Sequence, residues 1–334
     1  MFAQALAAHP LRPLLLPFEK RFPFPLPGDP AWRALPDTAK DALRAWGGEA
    51  VASPYPMLSA TQFMAFVRDG SREVYETPYF ARRRKLIGAA LAWCLTPDAA
   101  LLDTVIDGIW CICEESFWGV SAHNGSDHPG QTPAKARPLP DPHDPYIDLF
   151  AAQTACTLAI ISRLMADGLD AVTPLLRRRV RDELERRIFR PFMEHDDFWW
   201  MGMIRRDLNN WTPWIVSSVL HAAQAVLTDD ASLAELTERA MLMLDRYLAI
   251  MPEDGGCDEG TAYWNMAGGS LMDCLEIISQ LTGGAMVFGD DPKIRAIGAF
   301  PLHSHIAGPW YWNFADCDAQ PTLDGERLYA YGKY

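Results

Sequence analysis

From Ser59 onward, apolar residues recur every three or four positions, the spacing that gathers them on one side of an α-helix. Four stripes stand out: Leu102, Val105, Ile109 and Cys113; Phe150, Thr154, Leu158, Ile161 and Met165; Val172, Leu176, Val180, Leu184 and Ile188; and Leu233 through Met251. Further helices are predicted around 78–95, 212–227 and 262–282, the last two apolar on most faces and therefore buried between neighbours. Over 296–316 the pattern changes to alternation, with Trp310, Trp312 and Phe314 on one side and Tyr311 and Asn313 on the other, which predicts a strand. Ten of the 26 prolines fall in residues 1–56. Because proline lacks the donor that helix interiors need, this stretch is predicted to be an extended arm.

The chain thus divides into a Pro-rich arm (1–58), a helical domain (59–284) and a strand-like C-terminal segment (285–334). Its class is all-α. Helices joined by short connections pair antiparallel, and the pairs curl into a solenoid, a bundle or a closed ring. The one long irregular connection, Ser126 to Pro145, holds six prolines and has the length of a lid or binding loop. Ending on strand-like, aromatic sequence suggests the start of a further β domain.

Composition narrows the function. With 49% hydrophobic residues the chain has enough apolar content for a core without disulfide or metal staples. A net charge of −13 argues against nucleic acid and anionic membranes as partners. No apolar run is long enough to predict a membrane span. The Leu14–Leu16 run, hemmed by Pro13 and Pro17, does not resemble a signal peptide, so a cytoplasmic or periplasmic location is expected. Cys111 and Cys113 point in different directions on a helix, and there is no CxxC pair and no phosphate-cradling glycine motif. No metal or cofactor is expected.

Three segments have the composition of a site. In the first, Arg205, Arg206, Asn209, Asn210 and Trp211 lead into the helix at Thr212-Pro213, with Thr212 as its predicted N-cap. Side-chain amides at a helix mouth, with arginines beside them, suit a carboxylate; the plainer reading is turn residues and a solvated face. In the second, Glu253 to Asn265, a glycine-rich backbone is paired with acids and aromatics, and Glu259 lies four residues before Tyr263. An acid and a phenol on one helix face make a proton-transfer pair, although Tyr263 and Trp264 could equally be core. In the third, Glu114, Glu115 and Trp118 precede His123 and Asn124, so that a helix ends in carboxylates and a loop opens with His-Asn-Gly. These residues suggest a groove wall, with a structural hydrogen bond as the plainer role for His123.

Taken in order, these segments resemble the helical domain of the heparinase II/III family of polysaccharide lyases and its alginate-lyase relatives. The resemblance rests on Ile112–Glu115 through Trp118 to Asn124, Asp148–Ala152, Asn210-Trp211, Asp254–Gly256, Glu259-Gly260 and Tyr263-Trp264, across roughly residues 80–316. It implies an incomplete α/α toroid followed by a β-sandwich, and β-elimination at a uronic acid within an acidic polysaccharide or oligosaccharide. By position, Asn210 would neutralise the uronate carboxylate and Tyr263 would transfer protons. Glu259 and His123 would orient the sugar or Tyr263. Asn124, Glu115, Trp118, Arg205, Arg206, Asn209, Trp211 and Trp264 would line the substrate. His303 and His305 are faint candidates for the further histidine that the family draws from its sandwich. A homodimer is allowed, in which another chain supplies the sandwich.

Two other readings fit the same residues. An α/α-barrel glycoside hydrolase would use two carboxylates, Glu115 with Glu259 or Asp258. A helical scaffold would bind acidic glycans without catalysis.

Overall fold

A computed structural model of the chain describes residues 1–125 and 136–334. The first half of the expected lid, 126–135, lies outside the described residues. The chain is mostly helical, with one two-stranded sheet, and it divides into two compact units, Phe22–Glu194 and Met1–Arg21 with His195–Tyr334. Among the described residues no single helix is long and apolar enough to cross a membrane.

In the unit Phe22–Glu194, the helix Asp37–Val51 packs along the long helix Glu73–Leu95, which also packs against Ala99–Cys113. The contact is close because small residues face large ones. A Cβ on Gly47 would lie 2.4 Å from the Ala92 Cβ, and one on Gly88 would lie 2.4 Å from the Trp46 ring. Residues 1–58 are therefore not an extended arm. Two of the prolines sit where helices begin, Pro30 in the first turn of Pro30–Ala34 and Pro36 before Asp37–Val51, and the stretch between Pro36 and Pro54 is free of proline and winds normally. The stripe through Val172 is also interrupted. Ala166–Val172 ends at Thr173-Pro174, Val172 is exposed, and a new helix runs Leu175–Leu184.

The other unit is built around Trp211–Val226, buried on nearly every face between Asp230–Ile250 and Ser270–Leu281, as the sequence predicts. Its N-terminal helix, Phe2–Ala8, is fixed by the Asp245 carboxylate, which accepts from the amides of Phe2 and Ala3 at 2.9 and 2.7 Å. The strand expected over 296–316 is mostly something else. Residues Pro292–His303 form a helix, N-capped by Asp291, and only His305–Ala307 and Trp310–Tyr311 pair as a short antiparallel hairpin around Gly308. The reason is Asp291-Pro292, a cap and a first-turn proline, with Ile294 and Ile297 on the buried face. A last helix, Gly325–Lys333, packs over a wide π turn at Asn265–Gly269. Carbonyls of that turn are taken up by side chains of the last helix: Arg327 Nη1 donates to Asn265 O at 2.6 Å and the Tyr331 hydroxyl to Gly268 O at 2.7 Å.

Candidate active site

The two most informative segments meet in the unit that carries His195–Tyr334. Asn210 is the residue that precedes Trp211–Val226, two positions ahead of the expected cap at Thr212. Thr212 instead points inward and donates to Trp200 O at 2.6 Å, and Asn209 accepts from the Trp211 amide at 3.0 Å, the plainer turn role foreseen for it. With the helix start served by Asn209, the Asn210 amide is released for another partner. It is 4% exposed, and its Nδ2 donates to Glu259 Oε2 at 2.5 Å.

Glu259 is held at that position by the residue after it. Gly260 has φ +87° and ψ −178°, a conformation essentially restricted to glycine, and a Cβ there would lie 2.4 Å from the Cys317 Cβ. Thr261–Trp264 starts immediately afterwards and is tied to the C-terminal segment, Thr261 Oγ1 donating to Ser304 Oγ at 2.8 Å. Gly260→Ala is therefore expected to cost at least about 1–3 kcal/mol through backbone strain and to displace Glu259. A thermal melt and an activity assay on the same sample would check both, and unchanged values in the two would contradict the role given to Gly260.

The Glu259 carboxyl is pushed from its ordinary 4.5 up to about 7, first by burial and then by the charges of Asp258 and Asp316. Near neutrality it is therefore both a proton donor and a proton acceptor. Because the folded pKa is raised, the neutral form contributes stability that is complete below about pH 4.5 and is lost as pH rises through about 7. Glu259→Gln mimics the neutral form. Its melting temperature is expected to match that of the wild type near pH 4 and to exceed it increasingly from pH 5 to above 7. A pH-independent difference would contradict the raised pKa.

Tyr263 lies in the turn after Glu259, half-buried, its ring packed on the cluster of Cys257, Trp264 and Ala267. Arg205 pairs with Asp207 at the surface, its Nε 3.0 Å from Oδ1, and Arg206 is exposed. Trp211 is buried beside Trp199, ring centroids 5.1 Å apart. Trp264 is fully buried and donates its indole N–H to Ile297 O at 2.8 Å, so it is core and offers no face to a sugar.

The third segment belongs to the unit Phe22–Glu194, where it forms a different arrangement. Glu115 is buried and accepts from Arg82 Nη1 at 2.9 Å and from Arg83 Nη1 and Nη2 at 2.8 and 2.5 Å. Both of its oxygens are thus taken, which corrects its reading as a sugar-facing carboxylate. Trp118 is 1% exposed, donates to Ile112 O at 2.9 Å and lies under the Arg187 guanidinium, so it too is core. The His123 Nδ1 lies 2.7 Å from the Asp148 carboxylate, and its ring stacks on Phe150. Asp148 also caps Leu149–Leu164 through the Ala151 amide. Asn124 is buried and donates to Arg137 O at 2.9 Å.

Sequence reasoning missed Arg82 and Arg83, whose burial has no local signal in a run of four basic residues. It also missed Asp316, which reaches Glu259 through space. Among the described residues no group of three or more His, Cys, Asp or Glu side chains is placed to hold a metal ion. Comparison with known protein families and with curated proteins finds no match to the chain.

Proposed function

We propose that this protein is a polysaccharide lyase of the heparinase II/III kind, its helices arranged as an incomplete α/α toroid, and that it cleaves uronate-containing glycans by β-elimination. The observation that carries this reading is the buried Asn210 amide held against a carboxyl group whose pKa lies near 7. A uronate carboxylate entering beside Glu259 adds negative charge and raises that pKa further, so Glu259 stays protonated and donates. The Asn210 amide and the Glu259 hydroxyl together then mask the uronate charge. With that charge masked, the C5 proton becomes acidic enough to leave, because the enolate-like intermediate is stabilised by the same two donors. Tyr263, in the turn that Gly260 opens, enters as the phenolate, takes the C5 proton and, now a phenol, returns that proton to the departing O4. The glycosidic C4–O bond breaks, and a C4–C5 double bond remains on the new end.

The test is to follow ultraviolet absorbance from that double bond while the protein is incubated with heparan sulfate, hyaluronate, chondroitin and alginate. A rise on one of them supports elimination and names the sugar. New reducing ends without absorbance would replace it with hydrolysis. That second reading draws on the same poised proton of Glu259, which a hydrolase would use as its general acid. Its partner would then be Asp258, since the oxygens of Glu115 are occupied by arginines.

A further inference from the structure

The unit Phe22–Glu194 contains a cleft of about 310 Å³ that the reaction above does not use, a volume at the lower end of those that hold small organic ligands. Two polar side chains on its wall are nine-tenths buried and incompletely partnered. Arg82, 8% exposed, donates Nε to Pro56 O at 2.7 Å and Nη1 to Glu115, while its Nη2 makes no hydrogen bond among the described residues. Tyr75, 5% exposed, packs edge-on to Phe63 at 4.9 Å, and its hydroxyl likewise makes no hydrogen bond among the described residues. Burial, reinforced by the charge of Glu115, raises the Tyr75 pKa, so the phenol keeps its proton and can donate it.

The charge of the cluster favours an anion. Two guanidinium groups share the single carboxylate of Glu115, and its oxygens are already occupied. Glu114 also borders the cleft, but its carboxylate is paired with Arg179 at 3.2 Å. The rest of the wall is mixed, its apolar part formed chiefly by Leu58, Phe63, Phe117 and Leu139 and its polar part by Ser59 and Ser116. Ser59 cannot add much, because its hydroxyl is committed to the capping box with Gln62. The apolar part of the wall can cover a hydrocarbon body held beside the anion.

We propose that this cleft binds a small organic monocarboxylate with an apolar, ring-sized body, the carboxylate accepting from Arg82 Nη2 and the Tyr75 hydroxyl. The site is separate from the Asn210–Glu259 pair and does not depend on the lyase reading. Arg82 is poised to give such a carboxylate a charge-assisted bond in a partly enclosed cleft.

The test is calorimetric titration of the full chain with 3-phenylpropionate, with benzyl alcohol and inorganic phosphate as separate probes. One saturable site for phenylpropionate is expected, and neither of the other probes should match it. Tyr75→Phe removes only a hydroxyl that makes no hydrogen bond among the described residues, so the unliganded variant should melt like the wild type and bind phenylpropionate about tenfold more weakly. Arg82→Lys should weaken it at least as much. Absence of saturation at millimolar concentration, or equal affinity in Tyr75→Phe, would overturn the proposal. Phosphate binding as tightly as phenylpropionate would overturn the assignment of an apolar ligand body.

Discussion

Tyr263→Phe is expected to lower turnover on the uronate substrate by about 10²–10⁴-fold, the range of a lost general acid–base group, while leaving KM close to its original value. The substitution removes one oxygen and keeps the ring. Since that ring packs on Cys257, Trp264 and Ala267, the variant should still fold. A fall in kcat without a change in KM marks a group that acts only in the transition state. Asn210→Ala should behave differently, because in the proposed reaction its amide meets the substrate carboxylate before and during the chemical step. It should raise KM and also lower kcat by about 10²–10³-fold, as removal of an oxyanion donor does. Steady-state kinetics by ultraviolet absorbance would separate the two. If Tyr263→Phe turns over at the wild-type rate while Glu259→Gln is inactive, the proton-transfer role belongs to Glu259 and the hydrolase reading takes its place.

Glu115→Ala should unfold the unit Phe22–Glu194 far more readily than any change at the Asn210–Glu259 pair. It leaves the buried guanidinium groups of Arg82 and Arg83 without the carboxylate they share, and breaking one side of a buried ion pair costs about 3–5 kcal/mol. For a unit of this size that corresponds to a drop in melting temperature of roughly 10 °C. Arg83 suffers most, since its remaining contacts are Thr154 Oγ1, Tyr79 O and the face of the Tyr79 ring. Glu115→Gln keeps the oxygen acceptor without the charge and should fall between the two. Circular dichroism melts of the three proteins would check the order. A melting temperature for Glu115→Ala within 2 °C of the wild type would mean that water reaches the cluster and screens it.

The helices were legible where their apolar stripes were long, because a buried face leaves a 3.6-residue period in the sequence. Leu149–Leu164 and Asp230–Ile250 are of this kind. The arm and the terminal strand were misread because proline and aromatic content were weighed without position. A proline in a first helical turn favours the helix it would break farther in, which is how Pro30 and Pro292 act. At the site, Asn210 and Glu259 were both marked from their own segments, and they meet across 49 residues of chain. Residue type also misled. Glu115 and Trp118 read as a groove wall, yet their partners are Arg82, Arg83 and Arg187, 32 to 72 residues away, and no local spacing reveals such a pairing.

The π turn at Asn265–Gly269 makes the placement of Tyr263 sensitive to chain length as well as to side chains. Each residue of a helix turns the chain by about 100°, and a π turn accommodates one residue more than an α turn. Deleting a single residue between 265 and 269 would let the turn close as ordinary α-helix and swing Tyr263 by about that angle relative to Ser270–Leu281. Arg327 and Tyr331 would then face carbonyls that had turned back into the helix. An insertion or deletion in this five-residue window would therefore alter the site without touching any residue in it, whereas an exposed loop elsewhere would absorb the same change.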